Sequence, residues 1–277
     1  MNGRIEMQAD LAGQSGSSGK SRRSRRSRRS RRSPRSWSSR LALLDVMHRD
    51  AWRAVSTPGP WLILAITAAS AILVVRGITL AGAQPSQPMV HLAVPLLAGL
   101  LGSMTVGADL RYGTWHLEVL LAGSRTAHWL RATASVLALG LLVGATSGLA
   151  SWGCCALWAD DSLGSVDAAR RAAGAVMLAA AAWAILGASV TAIFGSQIAG
   201  TSGVVVYVMV EPLIEPTLGM QATWLPGKAC SELLAASADG LADDARSLAF
   251  RVLLVASALW VGAWLTVARR PIPVVAT

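Results

Sequence analysis

Few side chains in this sequence could do chemistry, and their spacing is poor for it. Four histidines, His48, His91, His116 and His128, stand at no ligand spacing from a cysteine or carboxylate, so no metal site is expected. Cys154 and Cys155 are adjacent inside an apolar segment and Cys230 lies far along the chain. Three cysteines make no disulfide framework. The adjacent pair reads as small apolar membrane residues, with a bridge from either to Cys230 left open. Gly13 to Ser21 imitates a phosphate loop, but five residues separate Gly13 from Gly19 where that loop has four, and an arginine repeat follows where a helix should. No Gly-x-Ser-x-Gly and no zinc-protease pattern occurs. The suggestive acidic pair is Glu211 and Glu215, four residues apart and so on one helix face. Acidic groups at membrane depth are costly and often functional, which makes the pair a candidate flank of a substrate exit. The plainer reading puts both among outer headgroups, with Pro212 and Pro216 ending their helix. The chain is expected to have no catalytic residue, no metal and no cofactor of its own.

The elements that position these residues belong to a membrane bundle. The chain is 53% hydrophobic and 14% charged, where soluble domains carry roughly 25% charged residues. A spanning helix needs ~20 mostly apolar residues. Six stretches qualify: about 61–81, 89–108, 132–159, 172–194, 197–213 and 248–268. The expected fold is therefore all-α, a polytopic membrane domain over 40–271 with six transmembrane helices. Arg40 to Ser56 reads as an amphipathic helix at the inner interface, with Leu44, Met47, Ala51 and Val55 in one stripe, or as a helix packed on the protein's own flank. Thr57-Pro58-Gly59-Pro60 ends it. Gly140, Gly144 and Gly148 form a tandem small-residue face on the third span. Such a face permits close helix approach, within the subunit by default and between two copies as the sharper alternative. The acidic loop 215–247 is expected to hold a helix over 231–244.

Charge sets the orientation. The first forty residues hold twelve Lys/Arg and two Asp/Glu, while the other 237 hold thirteen of each. The whole net charge of +10 thus belongs to the tail. Residues 21–32 repeat Ser-Arg-Arg four times, a composition that cannot bury a core. The tail over 1–39 is expected to stay disordered, to keep the N-terminus inside and to touch anionic lipid. Nucleic-acid binding through phosphates is the weaker reading, because no aromatic platform accompanies the arginines; a translation start downstream of the repeat is a third. With both termini inside, inner segments from residue 40 on carry eight arginines and outer segments five basic residues, a modest positive-inside bias. Arg170-Arg171 is the awkward pair, expected to snorkel at the outer surface. Trp61, Trp129, Trp152, Trp158 and Trp264 fall near the expected interfaces, as aromatic belts do. The short end at 272–277 is expected in the cytosol.

One loop stands apart. Asp109 to Arg131 lies between the second and third spans and carries a partly helical pattern: Leu117, Leu120 and Leu121 at helical spacing, with Arg111, Glu118 and Arg125 supplying charge. Gly123-Ser124 breaks it. The sequence Asp109, Gly113-Thr114, Leu120-Leu121, Ser124-Arg125 resembles the loop after the second span in permeases of type-2 ABC (ATP-binding-cassette) transporters. That loop typically reads acidic residue, Gly-Thr, Leu-Leu, Pro-x-Ser-Arg. The chain departs from it at Ala122-Gly123, where the family often has Pro and a small apolar residue. The resemblance implies a cytosolic coupling helix with Leu117, Leu120 and Leu121 docked on an ABC ATPase subunit and Asp109, Arg111 and Arg125 at the rim. It also implies a second permease subunit, identical or related, ATP and Mg held by the partner ATPase, a plasma-membrane location, and short outer helices capping the pathway. The competing reading is a membrane anchor or sensor whose basic tail binds anionic lipid or nucleic acid.

Overall fold

The computed structural model describes residues 58–83, 86–158 and 163–269, all within one compact unit, Leu43–Thr277. The basic tail, the helix expected at 40–56 and the end at 272–277 lie outside the described residues. Among the described residues every regular element is helical. In order they are α1 (Pro58–Leu80), α2 (Gln87–Val90), α3 (Val94–Arg111), α4 (Trp115–Ala122), α5 (Arg125–Trp158), α6 (Leu163–Phe194), α7 (Gln197–Leu218), a 3-10 turn (Gly219–Trp224), α8 (Pro226–Asp239) and α9 (Ala242–Arg269). Five are long and apolar enough to cross a membrane: α1, α5, α6, α7 with its following turn, and α9. The chain is a multi-pass membrane protein by that measure. α3 has eighteen residues and ends on Asp109 and Arg111.

Several boundaries differ from expectation for local reasons. The second span was expected from Met89, but the chain turns at 91–93 and α3 begins at Val94, with a proline in its first turn, where a missing N–H costs nothing. α5 starts at Arg125 rather than Ala132 because Ser124 Oγ accepts from Ala127 N at 3.1 Å, an N-cap. α6 reaches back to Leu163. α7 does not end at its prolines: it passes through Pro212 and Pro216 to Leu218. The helix expected over 231–244 stops at Asp239, where Gly240 takes φ 79°. Asp243 and Asp244 belong to the first turn of α9 instead, where acids suit the helix dipole. Trp129 is buried against Trp260, ring centroids 6.4 Å apart, rather than standing in an interfacial belt.

α6 is the centre. Inside its spanning stretch 72% of residues are buried, against 17–33% for the other four spans. Ala172, Val176, Ala180 and Ala184 are wholly buried along one i, i+4 row. Hydrophobicity does not drive helices together in lipid, so close packing of small residues must. On one flank Gly144 faces α6 so tightly that a Cβ would stand 2.5 Å from Met177 Cα; at Gly140 it would stand 2.8 Å from Ala181 Cα, and at Gly148 3.8 Å from Ala173. The tandem glycine face is thus filled within the subunit. On the other flank Gly102 backs onto the Ala184 carbonyl and Gly187 onto the Gly99 carbonyl of α3. Thr191 donates to the Gly187 carbonyl (2.9 Å) and shares a hydrogen bond with Ser103 Oγ (2.7 Å).

The bundle has two distinct ends. At one, Gly107 meets Gln197, and Arg125 Nη1 donates to the Ala268 carbonyl at 2.8 Å. At the other, the Arg76 guanidinium sits 5.5 Å from the Trp158 ring, and α7 meets α8.

Candidate functional site

The arginine-rich end carries α4. Gly113 turns the chain out of α3 at φ 67° and Gly123 turns it back at φ 75°, a conformation that glycine adopts without steric cost. Between them the helix is pinned from below. The Thr114 hydroxyl donates to Asp109 Oδ1 at 3.3 Å, Trp115 meets the His128 ring edge-on at 4.3 Å, and Val119 is buried. His128 Nε2 lies 3.8 Å from Asp109 Oδ2. The upper face is bare: Leu117, Leu120 and Leu121 are 60%, 74% and 67% exposed. Arg111 is exposed, its guanidinium 5.8 Å from the Tyr112 ring.

The nine residues expected here therefore split by task. Asp109, Gly113 and Thr114 frame the helix, Ser124 caps α5, Arg125 bonds α9, and the leucines with Arg111 face outward. The anchors Trp115, Val119 and His128 were missed; the i, i+4 spacing of Trp115 and Val119 was the available signal, while His128 comes from α5. Beside this frame lies a cavity of about 520 Å³, lined among others by Met104, Asp109, Arg111, His128, Arg131 and Gln197.

The opposite end is built around α8. Glu211 Oε2 accepts from Gly227 N (3.0 Å) and Oε1 from Lys228 N (2.7 Å), and the Tyr207 hydroxyl joins the same carboxylate. These are first-turn amides of α8, which lack partners inside their own helix and favour an anion. A Cβ on Gly227 would stand 2.5 Å from Glu211 Oε2, so glycine is what admits the carboxylate. At the other pole Arg171 Nε and Nη2 donate to the Ala238 carbonyl at 3.0 and 2.7 Å. α8 is thus held at its N-terminus by an anion from α7 and at its C-terminus by a cation from α6. One expectation falls: Glu211 is not among headgroups but 5% exposed, while Arg171 is exposed with its guanidinium on Ala238.

Glu215, one turn on from Glu211, pairs with Lys228 Nζ at 2.6 Å, with Glu232 at 3.8 Å on the other side. The hydrogen bond to Glu215 holds the Lys228 ammonium above its ordinary pKa. Cys230 is buried under α8, and burial pushes its thiol up to about 12. All three cysteines are free. Under α8 a cavity of about 220 Å³ runs between α3, α6 and α7.

Among the described residues no group of three or more His, Cys, Asp or Glu is placed to hold a metal. What the two ends offer is an exposed apolar ridge at one and a half-open, charge-clamped cavity at the other. No family model and no curated protein matches the chain.

Proposed function

We propose that this chain is the transmembrane permease subunit of an ATP-driven ABC exporter of the plasma membrane, and that it hydrolyses nothing itself. The carrying observation is α4: three bare leucines on a helix that is otherwise pinned by Asp109, Thr114, Trp115 and Val119. The leucines point away from the bundle on a helix bounded by Asp109, Arg111, Arg125 and Arg131, charges that keep it at the membrane surface or beyond it. A protein groove accounts for them, with apolar contacts at its centre and Asp109, Arg111 and Arg125 at a polar rim.

The reading counts α3 as a sixth span. Its eighteen residues rise about 27 Å at 1.5 Å each, close to the hydrocarbon thickness. Both termini then lie in the cytosol, α4 faces the ATPase and α8 faces outward. Work must come from outside the chain, and α4 is placed to deliver it. It joins α3 directly to α5, and both pack on α6 through glycines. A push on α4 would slide two walls past one central helix, a shear motion. Two permease subunits and two ATPases, the latter holding ATP and Mg, complete the exporter.

The test is co-purification of an ATPase with the tagged chain from native membranes. Gly113→Pro with Leu120→Asp should abolish it while leaving the chain in the membrane, because proline cannot take the φ of 67° at Gly113. A double variant that keeps the ATPase, or a wild-type chain that brings none down, refutes the coupling role.

A further inference from the structure

We propose that the cavity under α8 binds an amphipathic ammonium: a protonated amine or quaternary ammonium on a small apolar body. Three observations carry this. The inner wall is apolar, with Val176, Trp183, Val208 and Leu234 along it, the first two almost wholly buried. The rim is polar: Glu215, Lys228 and Glu232 are each about one-third exposed. An amphiphile fits that gradient, with its body inside and its head at the rim.

The second observation is charge. The lining's charged groups are Glu211, Glu215 and Lys228, with Glu232 flanking. Glu211 is already balanced by two amides at the N-terminus of α8. His91, also in the lining, is hydrogen-bonded to Ser147 Oγ at 2.7 Å. Arg171 is committed to Ala238 at the far pole of the helix. At the rim, two carboxylates therefore share one ammonium, and the surplus is negative.

The third is that the chain supplies a stand-in for the ligand. Lys228 Nζ sits 2.6 Å from Glu215 and 3.8 Å from Glu232, which shows how an ammonium head is received there. Lys228 is then a built-in competitor for the head's place on Glu215.

Identifying this site with the transported molecule rests on the exporter reading; binding itself does not, so it is tested on the full chain alone, without ATPase. The chain in zwitterionic nanodiscs would be titrated calorimetrically with octyltrimethylammonium, octyl sulfate and octanol, with empty nanodiscs subtracted. The ammonium should bind saturably at one site and the sulfate should not. Glu215→Gln should weaken the ammonium about fivefold, the order of one partly exposed ion pair, since the quaternary head has no N–H to donate. Lys228→Met, which removes the competitor, should strengthen it about threefold, the order of a half-exposed ion pair. Equal binding of all three probes would make the cavity an apolar slot for lipid and overturn the proposal, as would a Lys228→Met variant that binds the ammonium no better than wild type.

Discussion

α4 and α8 are both short helices set between spans at opposite ends of the bundle, and they treat their apolar residues in opposite ways. α8 turns Ala229, Cys230, Leu233 and Leu234 inward, all buried, and is clamped at each pole by a charge from another helix. Burying its two leucines contributes roughly 1.5–3 kcal/mol each. α4 buries only Val119 and holds three leucines out. Its fixing groups act on its flanks and underside, never on the exposed face. A helix that satisfies itself is part of the wall; one whose apolar side is bare is what the exporter reading needs for a contact outside the chain. The clamps sharpen the point. Opposite charges at the two poles of α8 suit its dipole, so no partner is needed to explain it.

The contrast can be broken most severely at Glu211. Glu211→Ala strips the acceptor from two buried amides and should destabilise the protein by about 3 kcal/mol, read as a large drop in thermal midpoint in detergent. Glu211→Gln keeps the shape and loses the charge, and should fall between. An unchanged midpoint for the alanine variant would mean that α8 is not clamped. Arg171→Met should cost about 1.5 kcal/mol through the lost charged fork, measured the same way. A native reporter follows opening of α8 directly: in a Cys154→Ala, Cys155→Ala background, Cys230 should resist maleimide at pH 7.5, because it is buried and its thiol is pushed up to about 12. Glu211→Ala should speed its labelling, and rapid labelling of the unaltered α8 would show the helix loose. At the other end the effect on stability should be least. Leu117→Ala with Leu121→Ala should move it by under about 0.5 kcal/mol while weakening ATPase co-purification. A large loss of stability would mean that those leucines already have a home in this chain.

Much of the frame was legible. Apolar stretches marked where the long helices lie, and the helix break at Gly195-Ser196 falls where the sequence put the change from fourth to fifth span. The small-residue spacing of Gly140, Gly144 and Gly148 marked a close approach, though not to which helix. Gly113, Leu117, Leu120, Leu121 and Gly123 outlined α4 because turn and period are local. Pro212 and Pro216 misled: a proline read as a stop where α7 simply forgoes two backbone bonds, as membrane helices can.

Hydropathy, turn chemistry and helical period are properties of neighbouring residues, so the chain's order alone determined an all-helical bundle of long apolar helices with a short helix held between two glycine turns. The roles of Glu211 and Arg171 were decided only in three dimensions. Their partners stand 16, 17 and 67 residues away, so which pole of α8 each charge holds is not written near it in the sequence. A charge's meaning depends on what desolvates and pairs it, and no local pattern records that.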